Sequence, residues 1–286
     1  MSPELVEGDL AIERLTDALE RVRAAVSYLR AEVGELAPHV QVGSAPEDGE
    51  WIDCAELVHD GGWLEMVIRS TGLRLGTDDP VVAASLFVQN YAYRVLTLAI
   101  ACLTTAGLVP DSSASSMSIS LRDGRPAIVG YPKPVALVVS ELGAEISAAL
   151  EEPRTLSNVL GFVAARALTE HIAMLIDSTR QRIRVGARLL WGNVAASSAV
   201  AFRTMEGCLG PWVQPLGERY FELCPAELKG LGSFLALEHA GRRGWYWERT
   251  NCCLYDRLPG DIRCGDCSRT PTKERRAAYL ASLENP

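Results

Sequence analysis

The chain has 286 residues, of which 48% are hydrophobic and 22% are charged. These values are ordinary for a globular protein and exclude a disordered, collagenous or rod-like chain. Its 28 Lys and Arg against 36 Asp and Glu give a formal net charge of −8, which opposes non-specific attraction to nucleic acid or anionic lipid. We therefore expect small ligands and protein partners, and no nucleic acid.

The first ten residues contain neither a basic segment nor an apolar core, so the sequence predicts no signal peptide. The longest apolar run, Val95 to Leu103, is interrupted only by Thr97 and is too short to cross a bilayer. We therefore predict no transmembrane segment and a cytoplasmic location. Eight cysteines are not expected to form a disulfide framework there, because that compartment is reducing.

Helical signals dominate the first part of the chain. Apolar residues recur at helical spacing from Leu10 to Val33, and Gly34 is a stop signal, so an amphipathic helix is predicted. After a loop, two short helices are predicted, one from about Asp53 and one from Trp63 to Ser70.

The strongest helix prediction in the chain is a core helix from Val81 to Thr105. Asp79 followed by Pro80 is a typical helix start, because Asp caps the free amides and Pro is preorganised for the first turn. Gly107 supplies the stop signal.

A β-hairpin is predicted next, because Asp123-Gly124 is a tight-turn pair that separates Met117–Arg122 from Arg125–Tyr131. Three helical segments follow it by pattern: Val135–Leu150, Leu156–Ser178 and Gln181–Glu206. The fold class is therefore α+β, with a mainly helical body and at least one hairpin. We place the body at residues 1–240 and a small cysteine-rich lobe at residues 241–286, where the sequence becomes basic, aromatic and rich in cysteine.

The cysteine-rich lobe contains four thiols with the spacing C-C-x10-C-x2-C, at Cys252, Cys253, Cys264 and Cys267. Two thiolates separated by two residues can chelate one metal through a tight turn. The adjacent pair is less usual, because neighbouring side chains of an extended strand point to opposite faces. We therefore predict that these four cysteines are metal ligands, whereas the other four cysteines lack chelating spacing.

Three interpretations of the four cysteines are open at this point. One is a structural zinc site with four thiolates, although such sites usually draw on two C-x2-C pairs. A second is a vicinal disulfide or free core thiols. The third is a [2Fe-2S] cluster, which is larger than one zinc ion and accommodates thiols that point in different directions.

The cysteine spacing, beside the aromatic and basic stretch Trp245–Arg249, resembles the carboxy-terminal signature of ferric-siderophore reductases of the FhuF type. Upstream, the stretch from Arg188 to Ser198 resembles the Leu-Trp-Gly-Asn helix of that family. Asp79 to Ala101 and the following hairpin are similar to its amino-terminal half. One departure is Asp256, which stands where we expect a second Tyr.

The resemblance implies a [2Fe-2S] protein that gives one electron to the Fe(III) of a siderophore complex and so releases Fe(II) in the cytoplasm. The hydroxamate type is expected from charge and potential: a net charge of −8 repels a trianionic catecholate complex, and such a complex holds Fe(III) so tightly that its potential is very low. It also implies a separate electron donor, a ferredoxin or a flavoprotein reductase. This agrees with the sequence itself, which contains no glycine-rich dinucleotide or nucleotide-phosphate loop. Two alternatives are an iron-sulfur electron carrier with another acceptor and a non-enzymatic protein with a structural zinc site.

Several arginines, tryptophans and polar residues near these motifs are candidates for contact with the siderophore. Each also has a structural interpretation: the arginines as a solvated basic face, the tryptophans as packing in the lobe, and the asparagine as an interior hydrogen bond. The candidate substrate contacts are Arg188, Trp191, Asn193, Trp247, Arg249, Tyr255 and Arg257.

Overall fold

The computed structural model of the chain describes residues 3–26, 40–44, 51–122, 125–139, 146, 151–260 and 263–284. These residues form an α+β protein with a mainly helical body, as the sequence predicts. The helices are α1 (Gly8–Val26), α2 (Cys54–His59), α3 (Gly61–Leu75), α4 (Pro80–Ala106), α5 (Pro153–Val163), α6 (Ala173–Arg182), α7 (Ala187–Leu209), α8 (Gln214–Leu223) and α9 (Thr272–Glu284). The strands are β1 (Glu4–Glu7), β2 (Val40–Val42), β3 (Trp51–Asp53), β4 (Leu108–Pro110), β5 (Ser118–Arg122), β6 (Arg125–Tyr131), β7 (Val135–Val138), β8 (Gly232–His239) and β9 (Arg242–Arg249).

The described strands form three small sheets with the orders β1-β7-β4, β2-β6-β5-β3 and β8-β9. All of the pairs are antiparallel except β2 with β6, which is parallel. The predicted hairpin is confirmed as β5 and β6. Its turn, Asp123-Gly124, lies outside the described residues.

Helix α4 is the central core helix, as predicted, and it packs along α7. At its start, Asp79 Oδ1 accepts hydrogen bonds from the amides of Val81 (2.8 Å) and Val82 (3.4 Å). At its end, Gly107 takes the left-handed conformation with φ 64°, which favours glycine. Both boundaries agree with the prediction because each is specified by residues next to it in sequence.

The helix predicted from Val135 to Leu150 is wrong at its start. Val135–Val138 is strand β7, which lies between β1 and β4 and pairs antiparallel with both. Its partners come from distant parts of the chain, and their backbone groups satisfy those of β7 on both edges. Of the rest of this prediction, Ile146 is buried and helical, and residues 140–145 and 147–150 lie outside the described residues.

Other predicted helices are present with shifted ends. The helix from Leu10 is α1, and its continuation past residue 26 to Gly34 lies outside the described residues. The helix predicted over Trp63–Ser70 extends over Gly61–Leu75, because the Asp60 side chain caps it by accepting from the Gly62 amide at 2.7 Å.

The two long helical predictions after residue 150 also change at their ends. The first extends without a break through α5, a π-helical stretch at Ala164–Ile172, and α6. The second begins later than predicted, because the chain is extended at Ile183 and α7 starts only at Ala187.

Two helical stretches within the described residues are long and apolar enough to cross a membrane by length and composition alone, Pro80–Ala106 and Pro153–Arg182. In their most apolar windows, 78% and 56% of the residues are buried inside the protein. Core helices of soluble proteins pass the same test, so these two are weak evidence for a membrane span.

The hairpin β8-β9 joins the helical body to the cysteine-rich residues. Trp245 stacks on Phe234 with ring centroids 3.7 Å apart, and Trp247 stacks on Phe221 of α8 at 4.6 Å. Both indoles are therefore part of the main core, whereas the sequence suggested packing in the lobe. The predicted boundary near residue 240 falls in the turn of this hairpin, and the division into body and lobe stays a prediction.

Candidate metal centre

The cysteine segment, defined as the described residues 252–260 and 263–267, packs against the first turns of α4. Cys253 and Leu254 are buried against Val82 and Leu86 of that helix. Leu189, in the first turn of α7, packs against the same small cluster. The segment therefore lies across the two central helices of the body.

Gly192 of α7 provides the space in which the residue before the first cysteine is held. A Cβ atom at this position would lie 1.9 Å from Asn251 Nδ2, so only glycine allows the Asn251 side chain to occupy its place. Asn251 Nδ2 donates to the carbonyl oxygen of Leu189 at 3.2 Å. The glycine of the Leu-Trp-Gly-Asn motif thus permits a close contact between α7 and the cysteine segment.

The asparagine of the same motif lies at the centre of a buried hydrogen-bond network. Asn193 Oδ1 accepts from Arg249 Nη2 at 2.8 Å, and Asn193 Nδ2 donates to the carbonyl oxygen (2.9 Å) and the hydroxyl (2.8 Å) of Ser85. The Ser85 hydroxyl donates in turn to the carbonyl oxygen of Cys253 at 2.7 Å. This network connects α4, α7, β9 and the cysteine segment, so it fixes the backbone at the adjacent cysteine pair.

The far end of the cysteine segment is held by the carboxy-terminal helix. Arg275 of α9 is buried, and its Nη1 donates to the carbonyl oxygen of Cys267 at 2.9 Å. Helix α9 is itself fixed to the hairpin, because Tyr246 stacks on Tyr279 with centroids 4.3 Å apart. Both ends of the segment are therefore anchored to regular structure.

All four thiols of the segment are free, and two of them are in contact: the sulfurs of Cys253 and Cys264 lie 3.7 Å apart. Two thiolates about 2.3 Å from one tetrahedral ion would be separated by about 3.8 Å. The Cys252 thiol instead donates to Asp256 Oδ1 at 3.3 Å, and Cys267 is buried. Within the described residues, no group of three or more His, Cys, Asp or Glu side chains is placed to hold one metal ion.

A buried cation lies beside the contacting thiols. Arg249 is 2% exposed, and its Nη1 is 3.9 Å from Asp266 Oδ2. Its Nε and Nη1 are buried without a hydrogen-bond partner in the described part of the chain. A buried guanidinium with open donors is costly unless an anion compensates it, so it favours negative charge at the sulfurs.

The two contacting thiols have opposite pKa shifts. The hydrogen bond from the Cys264 thiol, together with a backbone hydrogen bond from Tyr255 and the charge of Arg249, holds the pKa of Cys253 below its usual range against the effect of burial. The same hydrogen bond to Cys253 raises the pKa of Cys264, and burial adds to this. The hydrogen bond between the two sulfurs therefore makes Cys253 the more acidic thiol of the pair.

The residues present fit a thiolate-ligated iron-sulfur cluster. Four thiols lie in one anchored segment, two of them at the separation expected for ligands of a single ion. The backbone amide of Leu254 donates to Cys252 Sγ at 3.3 Å, and hydrogen bonds to sulfur are typical of such clusters. The buried guanidinium of Arg249 supplies a positive charge that would stabilise an anionic, thiolate-ligated cluster.

The structure separates the predicted substrate contacts into two groups. Four have buried side chains, and these are Trp191, Asn193, Trp247 and Arg249. Three reach the surface: Arg188, which donates to the Gly230 carbonyl oxygen, the half-buried Tyr255, and Arg257, which lies 3.8 Å from the Asp79 carboxylate. Substrate contact by any of them stays a prediction. For Trp191, Asn193 and Trp247, burial supports an interior structural role. The solvated basic face considered for the arginines is wrong for Arg249, which is buried and donates to Asn193.

A pocket of about 430 Å³ lies beside the cysteine segment, and the sequence did not indicate it. Its walls come from α3, α4, α7 and the cysteine segment, which contributes Tyr255 and Asp266. Of the predicted substrate residues, Tyr255 lines it. The remaining lining residues are spread over more than a hundred positions of the chain, so no local sequence motif could predict that they line one pocket.

One buried histidine is fully satisfied by internal hydrogen bonds. His171 Nε2 is 2.7 Å from the Tyr91 hydroxyl, and its Nδ1 is 2.8 Å from the carbonyl oxygen of Ser112. Burial lowers the pKa of His171 to about 4. The imidazole is therefore neutral near pH 7 and acts as a core residue.

The fold and the site together define an α+β protein with an anchored four-cysteine segment on a helical body. Residues 85–232 match the family model described as "Ferric iron reductase FhuF-like transporter". Because the match covers more than half of the chain, the chain belongs to this FhuF-like ferric iron reductase family. The matched range ends before the cysteine segment, so the C-C-x10-C-x2-C motif is not part of it.

No curated protein matches the chain in sequence. Among solved structures, aerobactin synthetase IucA from a hypervirulent pathotype of Klebsiella pneumoniae is similar with a TM-score of 0.47 and 12% identity, over 79% of this chain and 45% of that one. The ATP-bound form of IucA is similar with a TM-score of 0.46 and 12% identity, over 72% of this chain and 42% of that one. Aerobactin synthetase IucC from the same pathotype is similar with a TM-score of 0.42 and 14% identity, over 63% of this chain and 32% of that one. The chain spans less than half of the length of these structures.

Proposed function

We propose that this protein reduces the Fe(III) of a siderophore complex by one electron, using a [2Fe-2S] cluster held by Cys252, Cys253, Cys264 and Cys267, and so releases Fe(II) in the cytoplasm. The observation that carries the proposal is the pair of free sulfurs 3.7 Å apart, in an anchored four-cysteine segment of a FhuF-like ferric iron reductase. One close pair, which no third metal-ligating side chain joins within the described residues, favours a two-iron cluster over a single zinc ion with four thiolates.

The chemistry of the substrate makes this reaction useful. Hydroxamate and catecholate oxygens are hard donors that hold Fe(III) far better than Fe(II), so reduction loosens the ion without breaking a ligand bond. When bound, the cluster supplies the single electron. The chain supplies thiolate ligands, a backbone fixed through Ser85 and Asn193, and the buried charge of Arg249, which stabilises added negative charge.

The electron has to come from another protein. The sequence contains no glycine-rich loop for a dinucleotide, so we propose a ferredoxin or a flavoprotein reductase as the donor. We expect no NADPH-dependent reduction of a ferric siderophore by the purified chain and steady turnover once a ferredoxin and its reductase are added. Turnover with NADPH and this chain alone would contradict the proposed donor.

Iron and acid-labile sulfide measurements test the cluster. Cys253→Ala should remove the visible absorption and most of both elements, because it removes a ligand at the close sulfur pair. The matched control is Cys208→Ala, a half-buried cysteine of α7 outside the motif, which should keep both. Zinc in place of iron and sulfide in the wild-type protein would support the structural zinc alternative instead.

Rapid mixing with ferric complexes tests the substrate class. The net charge of −8 repels a trianionic tris-catecholate complex over a Debye length of about 8 Å at physiological salt, but it does not repel a neutral or cationic trihydroxamate. We expect the reduced protein to be oxidised faster by ferric trihydroxamates, with a catecholate rate that increases as salt is added. If no ferric siderophore oxidises it while other acceptors do, the protein is an electron carrier with another acceptor.

A further inference from the structure

The geometry points to the pocket between α4, α7 and the cysteine segment as the binding site for the iron-hydroxamate part of an uncharged or cationic ferric siderophore. This inference rests on the proposed function, because it places the substrate of that reaction. It adds the location of the substrate and the residues that bind it.

The position of the pocket favours a substrate of the cysteine segment. Tyr255 and Asp266 line it. Tyr255 packs against the small buried cluster that contains Cys253, and Asp266 lies between Cys264 and Cys267 in sequence. A molecule in this pocket would contact residues that are one or two positions in sequence from Cys253, Cys264 and Cys267. Two other cavities in the described part of the chain contain no residue of the cysteine segment.

The size and lining of the pocket suit part of a hydroxamate siderophore. A volume of about 430 Å³ is within the usual range for small-molecule sites. Gln89 and Asn90 line it with side-chain amides, and Tyr93 and Ser197 add hydroxyls. The amide nitrogens of Gln89 and Asn90 can donate to hydroxamate and amide oxygens, whereas the Ser197 hydroxyl already donates within the protein. These polar groups alternate with apolar side chains that can contact the methylene spacers between hydroxamates.

One polar atom among the lining residues has an unmet hydrogen bond. Gln89 Oε1 is buried and has no partner within the described residues. The backbone carbonyl of the same residue is already used, since it accepts from the Ser197 hydroxyl at 3.0 Å. A buried carbonyl oxygen without a partner is costly, so it favours a ligand that donates a hydrogen bond, as the backbone amides of many hydroxamate siderophores do.

The charge of the pocket selects against anionic complexes. Its lining contains one cation, Arg74, and one anion, Asp266, which gives a formal sum of zero. A trianionic complex bound there would leave most of its charge without a partner. A neutral or cationic trihydroxamate complex carries no such cost.

Binding can be measured apart from electron transfer with a gallium complex, because Ga(III) is not reduced under these conditions. Val200 lies on α7 at the pocket wall and is half-buried, so Val200→Trp should fill part of the space. The matched control is Ile183→Trp, at a half-buried position lining another cavity of about 310 Å³. Both variants use the full-length, metal-loaded protein and the Ga(III) complex of desferrioxamine B as the probe in equilibrium dialysis.

We expect saturable binding by the wild-type protein and by Ile183→Trp, and at least tenfold weaker binding by Val200→Trp. The Ga(III) tris-catecholate should bind the wild type at least tenfold more weakly than the trihydroxamate. If Val200→Trp fails to fold, Asn90→Trp, at an exposed position lining the pocket, repeats the test. Unchanged binding by a folded pocket variant, or an absence of saturable binding by the wild type, would overturn the inference.

Oxidation of the reduced protein separates this inference from the proposed function. Val200→Trp should be oxidised by ferric desferrioxamine B at least tenfold more slowly than the wild type and by ferricyanide at the same rate. If Val200→Trp is oxidised by the siderophore as fast as the wild type, the pocket assignment fails and the reductase function stands. If the wild type lacks iron and sulfide, or is oxidised by ferricyanide and not by ferric siderophores, the proposed function itself fails.

Discussion

Replacing Gly192 by alanine should destabilise the protein through its contact with the cysteine segment. The new Cβ would lie 1.9 Å from Nδ2 and 2.1 Å from both Cγ and Oδ1 of Asn251, so the whole Asn251 side chain must move. Its hydrogen bond to Leu189 would then be lost.

The magnitude follows from three contributions. Overpacking of this kind costs about 1–3 kcal/mol, and the lost hydrogen bond costs about 1 kcal/mol. The exchange of glycine for alanine inside a helix returns about 1 kcal/mol. We therefore expect Gly192→Ala to lower the free energy of unfolding by about 1–3 kcal/mol, with a fall in Tm of roughly 2–4 °C for each kcal/mol.

A second glycine supplies the matched control. Gly161 lies in α5, and a Cβ atom there would meet nothing within 4 Å. Gly161→Ala should therefore raise stability by about 0.5–1 kcal/mol. The two variants carry the same substitution in helices of the same protein and are expected to change stability in opposite directions.

Urea and thermal unfolding of the full-length variants, followed by circular dichroism, give the free energy of unfolding and the Tm of each. The double variant Gly192→Ala/Asn251→Ala tests the cause, because it removes the obstacle and should recover most of the loss. Asn251 precedes the first cysteine, so Gly192→Ala should also retain less iron than the wild type. Equal stability of the two alanine variants, or no recovery in the double variant, would refute this reasoning.

Three further substitutions have defined outcomes. Buried His171 has a pKa of about 4, against 6.5 in the unfolded chain, so its contribution to the free energy of unfolding decreases by about 3 kcal/mol as the pH falls from 6.5 towards 4. In urea titrations across that pH range, His171→Asn should abolish this decrease. The exposed control His59→Asn should keep it. Asn193→Ala leaves the buried carbonyl oxygen of Ser85 and the guanidinium of Arg249 without this partner and should cost about 2–4 kcal/mol in urea unfolding. Exposed Asn90→Ala should change the free energy of unfolding by no more than about 0.5 kcal/mol. Asp79→Ala removes the cap of α4 and should lower the free energy of unfolding by about 1 kcal/mol; an unchanged value would mean that the cap contributes nothing.

Features specified by neighbouring residues could be determined from the sequence. Helix α4 begins after Asp79 and ends before Gly107 as predicted, because a side-chain cap and a left-handed glycine act within a few residues of each boundary. The strands β5 and β6 were predicted for the same reason, since an Asp-Gly turn separates two short runs that pair with each other. The spacing of the four cysteines likewise identified the candidate ligands.

Features that depend on distant partners required the tertiary structure. Val135–Val138 has an apolar pattern compatible with a helix, and it is a strand because β1 and β4 lie on either side of it. The partners of Gly192 and Asn193 were equally inaccessible, since Asn251 and Arg249 are more than fifty positions away in sequence.

In the candidate site too, some features follow from the local sequence and others from the tertiary structure. The sequence by itself determined which cysteines belong to one segment, because chelating spacing is a local property of the chain. Only the folded chain determined that Cys253 and Cys264 are the close pair, that a buried arginine lies beside them, and that a pocket adjoins them. These relations arise where α3, α4, α7 and the cysteine segment pack together, and packing between elements far apart in sequence leaves no local pattern that could predict it.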